Sequence, residues 1–196
     1  LIFAIRGAGG TFVGPGAKRF MLGGMDGSLS SNKYNYAGEN NPLYQGLKDA
    51  ESGNPDLMLN KFVTNVRGYQ QNTVYGKNYF LINAELRIPI AKVFFPRAAV
   101  NSIFVRNLQT YYFSDMGAAW TGNDPFSRNN SFSKTDYSNG YFSGYSITYA
   151  TPVLISHGFG FRSFFLGYYV KLDIAYPVRD FERKPTKFCL SLGHDF

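Results

Sequence analysis

Asn78-Tyr79-Phe80-Leu81-Ile82-Asn83-Ala84-Glu85-Leu86-Arg87-Ile88-Pro89-Ile90 alternates along most of its length. Phe80, Ile82, Ala84, Leu86 and Ile88 fall on one face, and Leu81, Asn83, Glu85 and Arg87 on the other. A period of two marks a strand whose two faces meet different surroundings. A soluble sandwich strand has the same period. The decision therefore rests on whether other segments repeat the pattern, and on what their polar faces carry.

They repeat it. Leu108 to Trp120 sets Tyr112, Met116, Ala118 and Trp120 with Ser114, against Tyr111, Phe113, Asp115, Gly117 and Ala119. Phe159, Phe161 and Phe165 oppose Gly160 and Arg162. Tyr168 to Val178 sets Tyr168, Val170, Leu172, Ile174 and Tyr176 against Lys171, Asp173 and Ala175. Thr186 to Phe196 sets Phe188, Leu190, Leu192 and Phe196 against Cys189, Ser191, Gly193 and Asp195, and Leu1 to Val13 opens the chain as a further strand. Tyr145 to Ile155 is extended, with Pro152 arguing against a central strand there. The polar faces hold charges in mid-strand: Glu85, Arg87, Asp115, Arg162, Lys171 and Asp173. A dry sandwich core would not bury so many, whereas a wet lumen spares them most of the desolvation cost.

The connections are uneven. Leu166-Gly167 is a short turn, while residues 25–64 and 121–143 are long, polar and broken by Gly, Asn and Pro. Short turns on one side and long loops on the other are the habit of transmembrane barrels. The expected fold is all-β: a transmembrane antiparallel β-barrel in one domain, with long external loops at about 14–77 and 121–157.

Composition agrees. Aromatic residues make up 18% of the 196, and there are 21 glycines, which suits girdles and tight turns. No apolar run of about 18 residues exists, so no transmembrane helix is expected, and a mean hydropathy of -0.21 is what alternating strands average to. The net charge is +7, but the basic residues are scattered with no run of three, so no nucleic-acid partner is expected. Asp26, Asp49, Glu51 and Asp56 do not have EF-hand spacing, so no calcium or other metal site is expected. Cys189, the only cysteine, falls on the lumen face as a small buried residue. His157 has no serine–acid partner by motif, and His194 lies near a strand end. No catalytic residue and no cofactor is expected. The first residues read as a strand already under way, as in a piece of a longer chain.

Asn65-Val66-Arg67-Gly68-Tyr69 stands apart. An arginine before a glycine, between a β-branched and an aromatic residue, makes a tight tip carrying one permanent cation. Glu85 and Asp115 lie on the polar faces of consecutive strands, and same-face residues of antiparallel neighbours come within reach. Two close carboxylates repel unless a cation lies between them, and the planar guanidinium can bond both.

Several motifs in order resemble the BamA-like superfamily of outer-membrane β-barrel assembly factors and two-partner secretion transporters. They are Phe20-Met21-Leu22-Gly23-Gly24, Val66-Arg67-Gly68-Tyr69, Asn83-Ala84-Glu85-Leu86-Arg87-Ile88-Pro89 and Phe113-Ser114-Asp115-Met116-Gly117. Gly158-Phe159-Gly160-Phe161-Arg162, Leu172-Asp173-Ile174-Ala175-Tyr176-Pro177 and Leu192-Gly193-His194-Asp195-Phe196 complete the set. The resemblance implies about the last six strands of a roughly sixteen-stranded barrel in the bacterial outer membrane. It places the Arg67 tip inside the lumen, with Gly68 and Tyr69, locked to Glu85 and Asp115 beside Phe113. It implies Gly193 as a hinge at a lateral seam and Phe196 as a C-terminal signal, although a glycine that is merely tolerated fits Gly193 equally well. About forty residues separate the Gly-Gly pair from the tip, where the family has a few.

The function implied is insertion of β-barrel proteins into the outer membrane, or movement of polypeptides across it. The partners implied are the lipid bilayer, unfolded outer-membrane or secreted polypeptides, and an envelope lipoprotein or other complex members. An accessory barrel without insertase activity, or a membrane anchor for an upstream module, is the alternative.

Overall fold

The computed structural model describes residues 1–14, 18–29, 61–63, 65–71, 73–90, 93, 102–127, 134–139, 142–147 and 151–193. Phe196, His194, Asp49, Glu51 and Asp56 lie outside them, as does most of the 25–64 loop.

The chain is all-β. Six strands, β1 (Ile2–Thr11), β5 (Asn78–Pro89), β6 (Gln109–Trp120), β9 (Val153–Phe165), β10 (Tyr168–Arg179) and β12 (Lys187–Gly193), form an antiparallel meander in that spatial order. A two-residue strand, β11 (Glu182–Arg183), folds back on the end of β10. Among the described strands β1 and β12 do not pair with each other, so the sheet is open rather than a closed barrel.

The register joins outward residues into rows. Phe3, Leu86, Tyr112, Phe159, Ile174 and Phe188 are successive Cα partners across all six strands. Most of this row is exposed, Phe159 at 53% and Phe188 at 66%. Ile82, Met116, Ile155, Phe161, Leu172 and Leu190 extend the exposed apolar face. The opposite face buries Asn83, Glu85, Arg87, Asp115, Ser156, Arg162 and Asp173; Asp115 and Asp173 are 0% exposed. Apolar side chains out and charged ones in is the reverse of a soluble sheet.

Two departures from the expected segments have local causes. The 14–77 stretch is not loop throughout. β2 (Phe20–Leu22) pairs in parallel with β3 (Lys61–Val63) and antiparallel with β4 (Val74–Gly76). Strands of three residues are too short to show a period. β9 begins at Val153, inside the stretch expected as loop to 157, and Pro152 stands just ahead of it, where a missing N–H costs no ladder bond. Within the same stretch β7 (Lys134–Asn139) pairs with β8 (Phe142–Ile147). A short helix, α1 (Ile103–Arg106), precedes β6.

The small sheet seats on the inner wall. Leu22, Val66, Tyr69, Val74, Leu81, Ala119 and Leu154 pack as one buried cluster, so the main apolar core lies between the in-folded segments and the concave face of the large sheet.

Candidate functional site

The tip begins at Asn65, which turns through a positive φ of 78°, and Gly68 turns again at 83°. A Cβ on Gly68 would stand 2.9 Å from Ala175 Cβ of β10, so that position requires glycine for both backbone and space. Between the turns, Val66 forms an antiparallel bridge with Gly24 and packs into the main core. Tyr69 reaches the far wall. Its hydroxyl lies 3.0 Å from the Ile155 carbonyl and 2.8 Å from that of Val178, linking β9 and β10.

Arg67 is buried at the centre. Its Nε donates to Asp115 Oδ2 at 2.7 Å, Nη2 to Asp115 Oδ1 at 2.8 Å, and Nη1 to Glu85 Oε1 at 2.7 Å. Its backbone N–H also points at Asp115 Oδ2, at 3.2 Å. The guanidinium carbon sits 3.8 Å from the centroid of Phe113, so a ring face covers the cation. Burial works against the charged form. The hydrogen bonds and charge of Asp115, with the charges of Glu85 and Asp173, outweigh it and hold the guanidinium above an arginine's ordinary pKa.

The register explains the convergence. Glu85 is the Cα partner of Phe113, and Asn83 of Asp115, so the two carboxylates are diagonal neighbours on one face. The structure thus brings together Arg67, Glu85, Phe113 and Asp115, with Gly68 and Tyr69 at the wall.

Other members of the cluster were not singled out from the sequence. Asn83 Nδ2 donates to Asp115 Oδ1 at 2.8 Å and to the Asn65 carbonyl at 2.6 Å, fixing the carboxylate and the turn together. Arg87 Nε donates to Glu85 Oε2 at 2.9 Å, so Glu85 bridges two arginines. The Tyr111 hydroxyl donates to Asp173 Oδ1. Gly160, the residue between them in the ladder, leaves the gap through which they meet. Asp173 Oδ2 and Asn83 Oδ1 have no protein partner among the described residues.

The chain matches no family model, no curated protein and no solved structure.

Beside the cluster lies a cavity of about 350 Å³, lined by Arg6, Asn65, Arg67, Glu85, Lys171 and Gly193 among others. Arg6 belongs to β1 and Gly193 to β12, so the sheet curls until both edge strands border one hollow. Gly193 meets no atom within 4 Å of where a Cβ would stand, so packing among the described residues does not require a glycine there. Cys189 is buried on the inner face. His157 lies on the outer face between the rings of Tyr112 and Tyr176, away from the cluster. Among the described residues no group of three His, Cys, Asp or Glu could hold a metal.

Proposed function

We propose that this chain is the C-terminal part of a bacterial outer-membrane β-barrel of the assembly and translocation superfamily. On this reading it inserts barrel proteins into the outer membrane or moves polypeptides across it, and no bond is made or broken. The single observation that carries the reading is an in-folded arginine tip bonded to carboxylates on the concave face of a sheet whose convex face is apolar.

Three physical points support it. The outward face is large: with about 4.8 Å between strands and about 3.3 Å per residue, it covers on the order of 600 Å². That is at the upper end of the roughly 300–600 Å² of the largest apolar patch on a typical soluble monomer, where such patches are often interaction surfaces. A strand of twelve residues is about 36 Å long at about 3.3 Å per residue, and a tilt of about 35–45° brings its height to about 26–30 Å, close to a bilayer's apolar band. The unpaired oxygens of Asp173 and Asn83 suit a lumen that holds water better than a dry core.

The test is made in the full-length protein in its native membrane. Arg67→Ala, and Glu85→Gln with Asp115→Asn together, loosen the tip. The expected results are a lower unfolding temperature by gel heat-modifiability and a fall in total heat-modifiable barrel proteins of the outer membrane. Wild-type levels on both measures would reject the reading. The long insertion, whose end supplies β3 to the small sheet, favours one second reading: an accessory barrel of a larger envelope complex. Depletion would then leave total barrel proteins intact and remove one complex only.

A further inference from the structure

The second edge of the last strand is occupied. β12 pairs along one edge with β10. Along its other edge Ser28 forms an antiparallel bridge with Ser191. Leu29 N–H donates to the Leu190 carbonyl at 2.7 Å, and Leu192 N–H donates to the Gly27 carbonyl at 3.0 Å. Gly27 is suited to the contact, with a φ of 63° and a Cβ position that the Leu192 carbonyl would fill. The segment is tied to the arginine tip. Gly24 bridges Val66, the Asn65 N–H donates to the Gly24 carbonyl at 3.0 Å, and Met25 is buried. Only Met25 and Asp26 separate the residue held by the tip from the residues held by β12.

We infer that Gly27–Leu29 is a built-in cap on the last strand, held in place by the Arg67 lock. The inference rests on the proposed reading of the sheet as a barrel wall. An open strand edge recruits other strands, and residues 190–192 cannot pair with the cap and with another strand at once. A strand running along all seven residues of β12 makes more bonds than the cap's two and displaces it. Because cap and tip share one short piece of chain, releasing either loosens the other. The device keeps the edge closed while the tip is locked and frees it when the tip lets go.

The test uses the full-length protein in its native membrane with Cys189 replaced by Ser. Ser28→Cys with Ser191→Cys places two thiols on directly opposed residues, whose Cα separation in an antiparallel pair of this kind, about 4.5 Å, suits a disulfide. Leu172→Cys with Leu190→Cys, directly opposed across β10 and β12, is the control. Both pairs are expected to oxidise under mild conditions. Adding Gly27→Val or Arg67→Ala should slow the first pair by about fivefold or more, the low end of ordinary coupling, and leave the control pair unchanged. The oxidised cap should lower heat-modifiable barrel proteins, and reductant should restore them. A control that oxidises while the cap pair does not would overturn the cap. Failure of both pairs would refute the β10–β12 pairing and the barrel reading with it. A slowed Gly27→Val but an unaffected Arg67→Ala would overturn the coupling to the lock. Full barrel levels with the cap fully oxidised would overturn its role in gating.

Discussion

Arg67 divides its donors unequally. Asp115 takes Nε, Nη2 and the tip's backbone N–H, and also holds Asn83, whereas Glu85 takes Nη1 alone and shares itself with Arg87. Removing one partner of a buried pair costs about 3–5 kcal/mol, and less where water reaches the site. Asp115→Asn should therefore cost more than Glu85→Gln, and a double-mutant cycle should give a larger coupling for Arg67 with Asp115 than for Arg67 with Glu85. Unfolding temperature measures both; equal couplings would mean that the tip is held by the general charge of the inner face, not by this fork. Arg67→Lys should fall between wild type and Arg67→Ala, because an ammonium keeps the charge but cannot bond in a fork or lie flat on Phe113.

The strands show what a sequence can and cannot reveal. β5, β6 and β10 are long enough for a period of two to be unmistakable, so their faces follow from residue order alone. Arg67, Glu85 and Asp115 could be named together because their motifs resemble those of a known family, and a cation between two same-face carboxylates agrees with that match. Tyr111 and Asp173 could not. Their contact crosses an intervening strand at Gly160 and depends on a register that no local pattern encodes. β2 and β3 were illegible for a different reason: three residues each, paired in parallel across nearly forty residues of chain. The outward face gives an element-scale prediction. Leu86→Arg, on the exposed row, should destabilise the protein by about 2–4 kcal/mol if the site lies near the bilayer midplane. The same change on a water-facing strand is usually within about 0.5 kcal/mol. Lys at 86 should behave alike, and Gln should be milder. Unfolding in lipid vesicles read by tryptophan fluorescence decides between the two, and a near-neutral Leu86→Arg would remove lipid from that face.

At the scale of the whole molecule, one row crosses all six long strands: Phe3, Leu86, Tyr112, Phe159, Ile174 and Phe188. A row follows the hydrogen-bond direction, perpendicular to the strands. In a barrel whose strands tilt by about 35–45°, five intervals of about 4.8 Å make the row climb by about 15 Å, roughly half the hydrocarbon thickness. Nitroxides placed singly at these positions in the full-length protein, with Cys189 replaced by Ser, should report that climb. Oxygen concentrates in the apolar interior and a nickel chelate stays in water. The ratio of oxygen to nickel collision should therefore be high along the row, change smoothly from one strand to the next, and be low at the inner positions Ser156 and Ser191. A soluble protein with a bare apolar face would give strong nickel collision along the row. One whose face is covered by another domain would give little of either. A high ratio that stays constant from Phe3 to Phe188 would mean strands standing upright in the bilayer, which a closed barrel does not allow.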